Sequence, residues 1–127
     1  MQAIINVELD SKSVANAELG ARYNVVIAGV RKFFKRAIGE VREASYEGPD
    51  GQATEHTAVI AFEFNAQKNI VLNALNQIAR DFNQDCVAVL FSDGEGRLVG
   101  PEADRRGGFK IEHFKRPAFY ELLKEAA

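Results

Sequence analysis

From His56 to Phe64 the chain alternates without a break. Ala58, Ile60, Phe62 and Phe64 lie on one side, and Thr57, Val59, Ala61 and Glu63 on the other. A period of two is that of a β-strand, here with an apolar, aromatic face. Such a strand cannot stand alone. Its backbone N–H and C=O groups need flanking strands, and its aromatic face needs a covering layer. The chain must therefore fold around a sheet with something packed on at least one side.

Other segments supply both. Residues 3–9 alternate, with Ile5, Val7 and Leu9 opposed to Ile4, Asn6 and Glu8, which predicts a strand. Asp10, Ser11 and Ser13 follow as turn residues and N-cap oxygens. Val25-Val26-Ile27 is β-branched, but the longer window is helical. Leu19, Tyr23, Val26, Ile27, Val30, Phe33, Phe34 and Ala37 recur at spacings of three and four, predicting a helix over about 14–37 with Gly39 at its stop. Gly20 and Gly29 weaken such a helix by up to about 1 kcal/mol each. Residues 40–47 alternate again, and Gly48-Pro49-Asp50-Gly51 is a turn, so 40–47 and 56–64 read as a hairpin. Asn65 is the expected N-cap of a second helix over 67–83, whose stripe is Val71, Ala74, Leu75, Ile78, Ala79 and Phe82. Cys86 to Phe91 is apolar on both faces and reads as a buried strand. Asp93–Gly96 is a turn, and Arg97–Gly100 returns as a short strand. Residues 101–108 form a polar loop, and Pro117 opens a short C-terminal helix.

The order strand, helix, strand, strand, helix, strand fits an α+β domain with a ferredoxin-like split βαββαβ topology. The sheet is expected to be mainly antiparallel, with both long helices on one face. All 127 residues form one domain in this reading, with 1–100 as the sheet–helix core and 101–127 as a tail. Ile60, Phe62 and Phe64 should meet the helices, leaving Glu8, Glu43 and Glu63 on the other face with Thr57, Val59 and Ala61. The tail, with Phe109, Ile111, Phe114 and Phe119, is the expected cover for that face; a second copy or another partner is the alternative.

Composition removes several classes. The single cysteine, Cys86, forms no internal bridge, and Met1–Asp10 has neither a basic start nor a long apolar core, so a cytoplasmic setting is expected. No segment approaches the roughly 18 apolar residues of a membrane span. Nine Phe and three Tyr are ample core material for a folded domain. The net charge is −2, but it is segregated: residues 31–42 carry Arg31, Lys32, Lys35, Arg36 and Arg42 against Glu40 alone.

No chemical motif is complete. The third strand lacks the basic-Gly start of an RNA-recognition module, and its open face is acidic. Gly94-Glu95-Gly96 precedes a strand and not a helix, so it is a hairpin turn rather than a dinucleotide loop. Asp93 and Glu95 lack the ligand spacing of a calcium loop. Cys86 opens an apolar strand and His56 follows a turn, so they make a poor nucleophile–base pair. No metal or cofactor is expected.

The run Gln84-Asp85-Cys86-Val87-Ala88-Val89-Leu90-Phe91, continuing through Gly96-Arg97-Leu98-Val99-Gly100-Pro101, resembles stretches of small phage- or prophage-encoded accessory proteins. The resemblance implies an accessory role in a mobile-element setting, where small single-domain proteins act by binding and blocking host machinery. With no convergent titratable groups, the chain reads as a non-enzymatic protein-binding module, with no enzymatic activity. Its contact residues are Arg31, Lys32, Lys35, Arg36, Arg105, Arg106 and Phe109, facing an acidic protein surface, with Phe109 as anchor. Nucleic-acid binding by the same surface is the second reading. The third is an enzyme of the dimeric α+β barrel type, with a pocket between sheet and helices.

Overall fold

The computed structural model describes residues 1–9, 16–48, 51–84 and 87–101. Strand β1 (Gln2–Glu8) is followed by helix α1 (Asn16–Arg31), the hairpin β2 (Ile38–Gly48) and β3 (Gly51–Glu63), helix α2 (Lys68–Asp81), and a second hairpin of β4 (Val87–Phe91) and β5 (Gly96–Val99). The five strands form one sheet in the order β2-β3-β1-β4-β5, every neighbour antiparallel. The class is α+β, and the strand order is compatible with the ferredoxin-like fold.

Register follows from the alternation. Ile5 of β1 lies opposite Ile60 of β3 and Val89 of β4, and Ala3 lies opposite Phe62 and Phe91. A slip of one residue would turn each of these side chains out of the core. Both helices pack on this face: Val26, Ile27 and Val30 of α1, and Val71, Leu75, Ile78 and Ala79 of α2, are buried in one cluster with the strand residues. A chain of rings runs through it. Phe34 stacks on Phe62 at 3.9 Å between centroids, Phe62 meets Phe64 at 6.1 Å, and Phe64 meets Phe91 edge-on at 5.8 Å.

The opposite face carries a smaller buried cluster of Ile4, Val59, Ala61 and Leu90, with Ile38 and Ala88 packed against it. No described helix lies over it. Asn6 sits on this face between Val59 and Ala88, and its side-chain oxygen is buried with no hydrogen-bond partner among the described residues.

Several expectations change. Helix α1 ends at Arg31, not at 37. Residues 32–36 unwind in tight turns, with Lys32 and Phe33 donating to carbonyls three residues back. The apolar spacing continues past the helix because Phe34 and Ala37 are both drawn inward to the sheet, whereas Phe33 is 45% exposed. Gly39 belongs to β2 and stops no helix. The β2–β3 hairpin is longer than its apolar pattern, pairing as far as Gly48 opposite Gly51. Helix α2 is capped at Gln67, not Asn65, with no side-chain cap bond. Glu43 lies opposite His56 on the helix-facing side, so of the three predicted acids only Glu8 and Glu63 share the other face. Cys86, the turn at Asp10–Ser13 and the tail 102–127, with its predicted helix at Pro117, lie outside the described residues.

A candidate active-site cleft beside strand β1

On the β4 side of β1 the last described pair is Asn6 opposite Ala88, while Thr57 of β3 lies opposite Glu8 on the other side. Toward β4, the Gln84 side chain meets the Glu8 backbone. Its Oε1 accepts from the Glu8 N–H at 3.0 Å, and its Nε2 donates to the Glu8 carbonyl at 3.0 Å and to the Phe82 carbonyl at 3.2 Å. Gln84 can reach because α2 ends sharply. Asn83 takes a left-handed conformation (φ 53°), which asparagine tolerates, and the Gln84 N–H bonds the Ala79 carbonyl at 2.8 Å.

Helix α1 forms the other wall. The backbone at Gly29 leaves room for the Phe82 ring; a Cβ there would stand 2.5 Å from Phe82 Cζ. Arg22 Nη1 donates to the Leu9 carbonyl at 2.7 Å, which ties α1 to the end of β1.

Between these parts lies a cleft of about 580 Å³ lined by Glu8, Leu9, Ala21, Arg22, Val25, Val26, Phe82, Asn83 and Gln84. That volume is in the range of small-molecule sites, roughly 300–1,000 Å³. Leu9 and Val26 are buried and Phe82 half-buried, while Val25 is exposed. Glu8 and Arg22 are the charged members of the lining, and Asn83 and Gln84 supply amides. The cleft suits a ligand with a flat apolar body and charge of both signs. Among the described residues, no group of three or more His, Cys, Asp or Glu side chains is placed to hold a metal ion.

A second polar cluster joins α2 to the β4–β5 hairpin. Lys68 Nζ donates to Asp93 and, at 2.6 Å, to Glu95 Oε2; Arg97 Nε donates to Glu95 Oε1 at 2.7 Å. The ammonium also lies 4.8 Å from the centre of the Phe91 ring. Hydrogen bonds from Lys68 hold both carboxyl groups below their ordinary range, and the two carboxylates in turn raise the lysine. Lys68 thus stands where the sequence raised, and set aside, a hard cation.

The residues predicted for partner contact divide. Arg31 closes α1, with its Nε on the Ala37 carbonyl at 2.9 Å; Lys32, Lys35 and Arg36 are exposed on the turn that follows. Arg105, Arg106 and Phe109 lie outside the described residues, as does Cys86 of the Cys–His pair. His56 Nε2 is 3.1 Å from Glu43 Oε1. The cleft residues were missed. Arg22 falls off the apolar stripe of α1 and reads as solvated, and nothing in the spacing announces that Gln84 will fold back onto Glu8.

No protein-family model and no curated protein matches the chain. Two solved structures are similar to it. One is a phage SAM lyase in the apo state, 18% identical, with 76% of this chain and 78% of that chain covered at a TM-score of 0.50. The other is a phage SAM lyase in complex with S-methyl-5′-thioadenosine, 20% identical, with 77% and 87% covered at a TM-score of 0.51. At these identities the likeness is one of fold. Both neighbours come from phage, which supports the coarser, phage setting of the sequence resemblance. Both are enzymes, which overturns the expectation of a non-enzymatic binding module: the lack of a recognised motif does not mean a lack of catalysis in a fold that houses catalysis in both neighbours.

Proposed function

We propose that this protein is an enzyme acting on S-adenosylmethionine or a closely related sulfonium nucleoside, cleaving it as a lyase. The observation that carries this reading is the cleft itself, in a fold shared with SAM lyases. It offers an apolar floor with a half-buried ring, the Asn83 amide and the Arg22 guanidinium, with Glu8 at its border. An adenosyl sulfonium amino acid is the complement: a flat base, a cationic sulfur and an α-carboxylate.

The chemistry also explains why no acid–base motif is needed. When a sulfonium is cleaved without water, a C–S bond breaks and sulfur keeps the electron pair, leaving neutral S-methyl-5′-thioadenosine. The amino-acid fragment closes through its own carboxylate onto the carbon that sulfur leaves, giving a lactone; in the alternative, the substrate's carboxylate or a water molecule takes the β-proton and an alkene forms. In the lactone route, nucleophile and leaving group belong to one molecule, so the protein's work is to fold the substrate in line. Positive sulfur and negative carboxylate cancel along that path, so the apolar floor of the cleft favours the less charged transition state. Leu9, Val26 and Phe82 supply the apolar surface, Glu8 at the border draws in the cationic substrate through its charge, and Arg22, fixed by its bond to Leu9, orients the carboxylate.

The test is incubation of the purified protein with S-adenosylmethionine, with mass spectrometry of the products. S-methyl-5′-thioadenosine should form faster than in a protein-free control, with the lactone or the alkene as co-product. Glu8→Gln and Arg22→Met should each lower kcat/KM about tenfold or more, equivalent to about 1.4 kcal/mol. Turnover no faster than the control would overturn the lyase reading; full activity in both variants would move the site away from this cleft.

A further inference from the structure

The turn after α1 carries a feature that the proposed reaction does not use. Lys32, Phe33, Lys35 and Arg36 are all exposed, and with exposed Arg31 they place four cations and one ring within six residues. None of Lys32, Lys35 and Arg36 has a carboxylate partner among the described residues.

The turn is held from within. Phe34 stacks on Phe62 at 3.9 Å with 16° between the ring planes, and its N–H bonds the Val30 carbonyl at 2.9 Å. The Ala37 N–H returns to the Phe34 carbonyl at 3.1 Å, and Arg31 Nε bonds the Ala37 carbonyl at 2.9 Å. These contacts hold the backbone while the cations and Phe33 remain at the surface. The negative end of the helix dipole accounts for cations in the last turn of α1, but its influence fades within about one turn. Lys35 and Arg36 lie beyond it, and a dipole does not call for an exposed ring.

We propose that this turn is a binding surface for single-stranded nucleic acid, with Lys32, Lys35 and Arg36 on phosphates and Phe33 stacked on a base. An exposed ring set among cations is the pattern of sequence-tolerant strand binding. An acidic protein surface would instead call for an apolar patch around its anchor. Among the described residues, the other large exposed apolar side chains are Met1 before β1, Val25 on α1, Val41 on β2 and Ile70 on α2, none of them in this turn. The surface shares no residue with the cleft, so it stands or falls separately from the lyase reading.

The test is fluorescence anisotropy with a labelled single strand of about 15 thymidines, a length that fills a typical single-strand site, measured across a salt series. Three or four phosphate contacts should give a log–log salt slope of about −2 to −3. Combined Lys32→Glu, Lys35→Glu and Arg36→Glu substitution should abolish binding while the circular dichroism melt stays in place. If that variant fails to fold, Arg36→Gln alone should reduce the slope by about 0.7. Phe33→Ala should weaken binding about tenfold and leave the slope unchanged. No binding by the unaltered protein, or equal binding by the charge variants, would overturn the proposal. So would displacement by polyglutamate as effective as by unlabelled strand, joined to an unchanged Phe33→Ala affinity; that result would assign the turn to an acidic protein.

Discussion

At the scale of single residues, Gly39 shows how position redefines a residue's meaning. In sequence it follows an apolar stripe and reads as a helix stop. In the fold it is the second residue of β2, opposite Ile60, and a Cβ there would stand 2.7 Å from the Val59 carbonyl oxygen, 2.9 Å from Ile60 Cγ1 and 3.2 Å from the Tyr23 hydroxyl. The carbonyl belongs to the ladder and cannot yield. Gly39→Ala is therefore expected to destabilise the protein by about 1–3 kcal/mol, by overpacking, despite alanine's lower backbone entropy when unfolded. A urea melt checks this; an unchanged midpoint would mean that β2 sits further from β3 than described. The same close packing affects Tyr23. Burial, chiefly, and the nearby Glu40 charge raise its hydroxyl pKa, with Arg31 opposing. Gly29 is the second case. What reads as a weak point in α1 is the flat place on which Phe82 rests.

At the scale of elements, the β4–β5 hairpin is short, and β5 is an edge strand of four residues. What fastens it is Lys68, at the first residue of α2, bonded to Asp93 and Glu95 in the hairpin turn. The pH dependence has two limbs. The two carboxyl groups titrate lower in the folded protein, so their contribution is present above the unfolded carboxylate range and lost as pH falls through their folded values. Lys68 titrates higher, so its contribution is complete below the unfolded lysine value and lost as pH rises through the folded one. The clamp should hold from about pH 5 to pH 10. Amide protection at Phe91, whose N–H bonds the Glu95 carbonyl at 2.8 Å, and at Gly94, bonded to the Phe91 carbonyl at 2.9 Å, should fall below that window. Lys68→Met should lower protection within the window and flatten its acid dependence. Protection that is indifferent to Lys68 would show that the backbone ladder alone holds the hairpin. High salt should have a similar, weaker effect, because the groups are partly exposed to solvent.

At the scale of the molecule, the cleft exists only because three elements meet: the end of β1, the outer side of α1 and the sharp exit from α2. A ligand lodged there bridges all three and binds the folded chain alone. S-adenosylmethionine at about a hundred times its dissociation constant should then stabilise the protein by about 2.7 kcal/mol, read as a rise in melting temperature. Arg22→Met should lose most of that rise while keeping its own unliganded melting temperature within a few degrees, since one partly buried bond to Leu9 is all that the fold loses. A ligand-induced shift as large in Arg22→Met as in the unaltered protein would place the ligand elsewhere. No described helix is long and apolar enough to cross a membrane, in keeping with the absence of any long apolar run in the sequence.

What the sequence determined by itself was everything carried by periodicity. The strict alternation of 56–64 and 3–9 and the stripe of Val71, Leu75, Ile78 and Ala79 set which residues form strands and helices and which face each buries, because side-chain direction repeats every two residues in one and every 3.6 in the other. The α+β class and the strand order followed, since few topologies bury those faces together. The end of α1 was not legible in the same way: Phe34 and Ala37 keep helical spacing, and only contact with Phe62 shows that they reach the core through tight turns. Nor was the cleft. Glu8 and Gln84 are 76 positions apart, and Arg22 reads as a solvated helix residue until the end of β1 is laid beside it. Periodicity records which way a side chain points, whereas a site depends on which distant side chains converge, and that is decided only when the sheet closes and the helices dock.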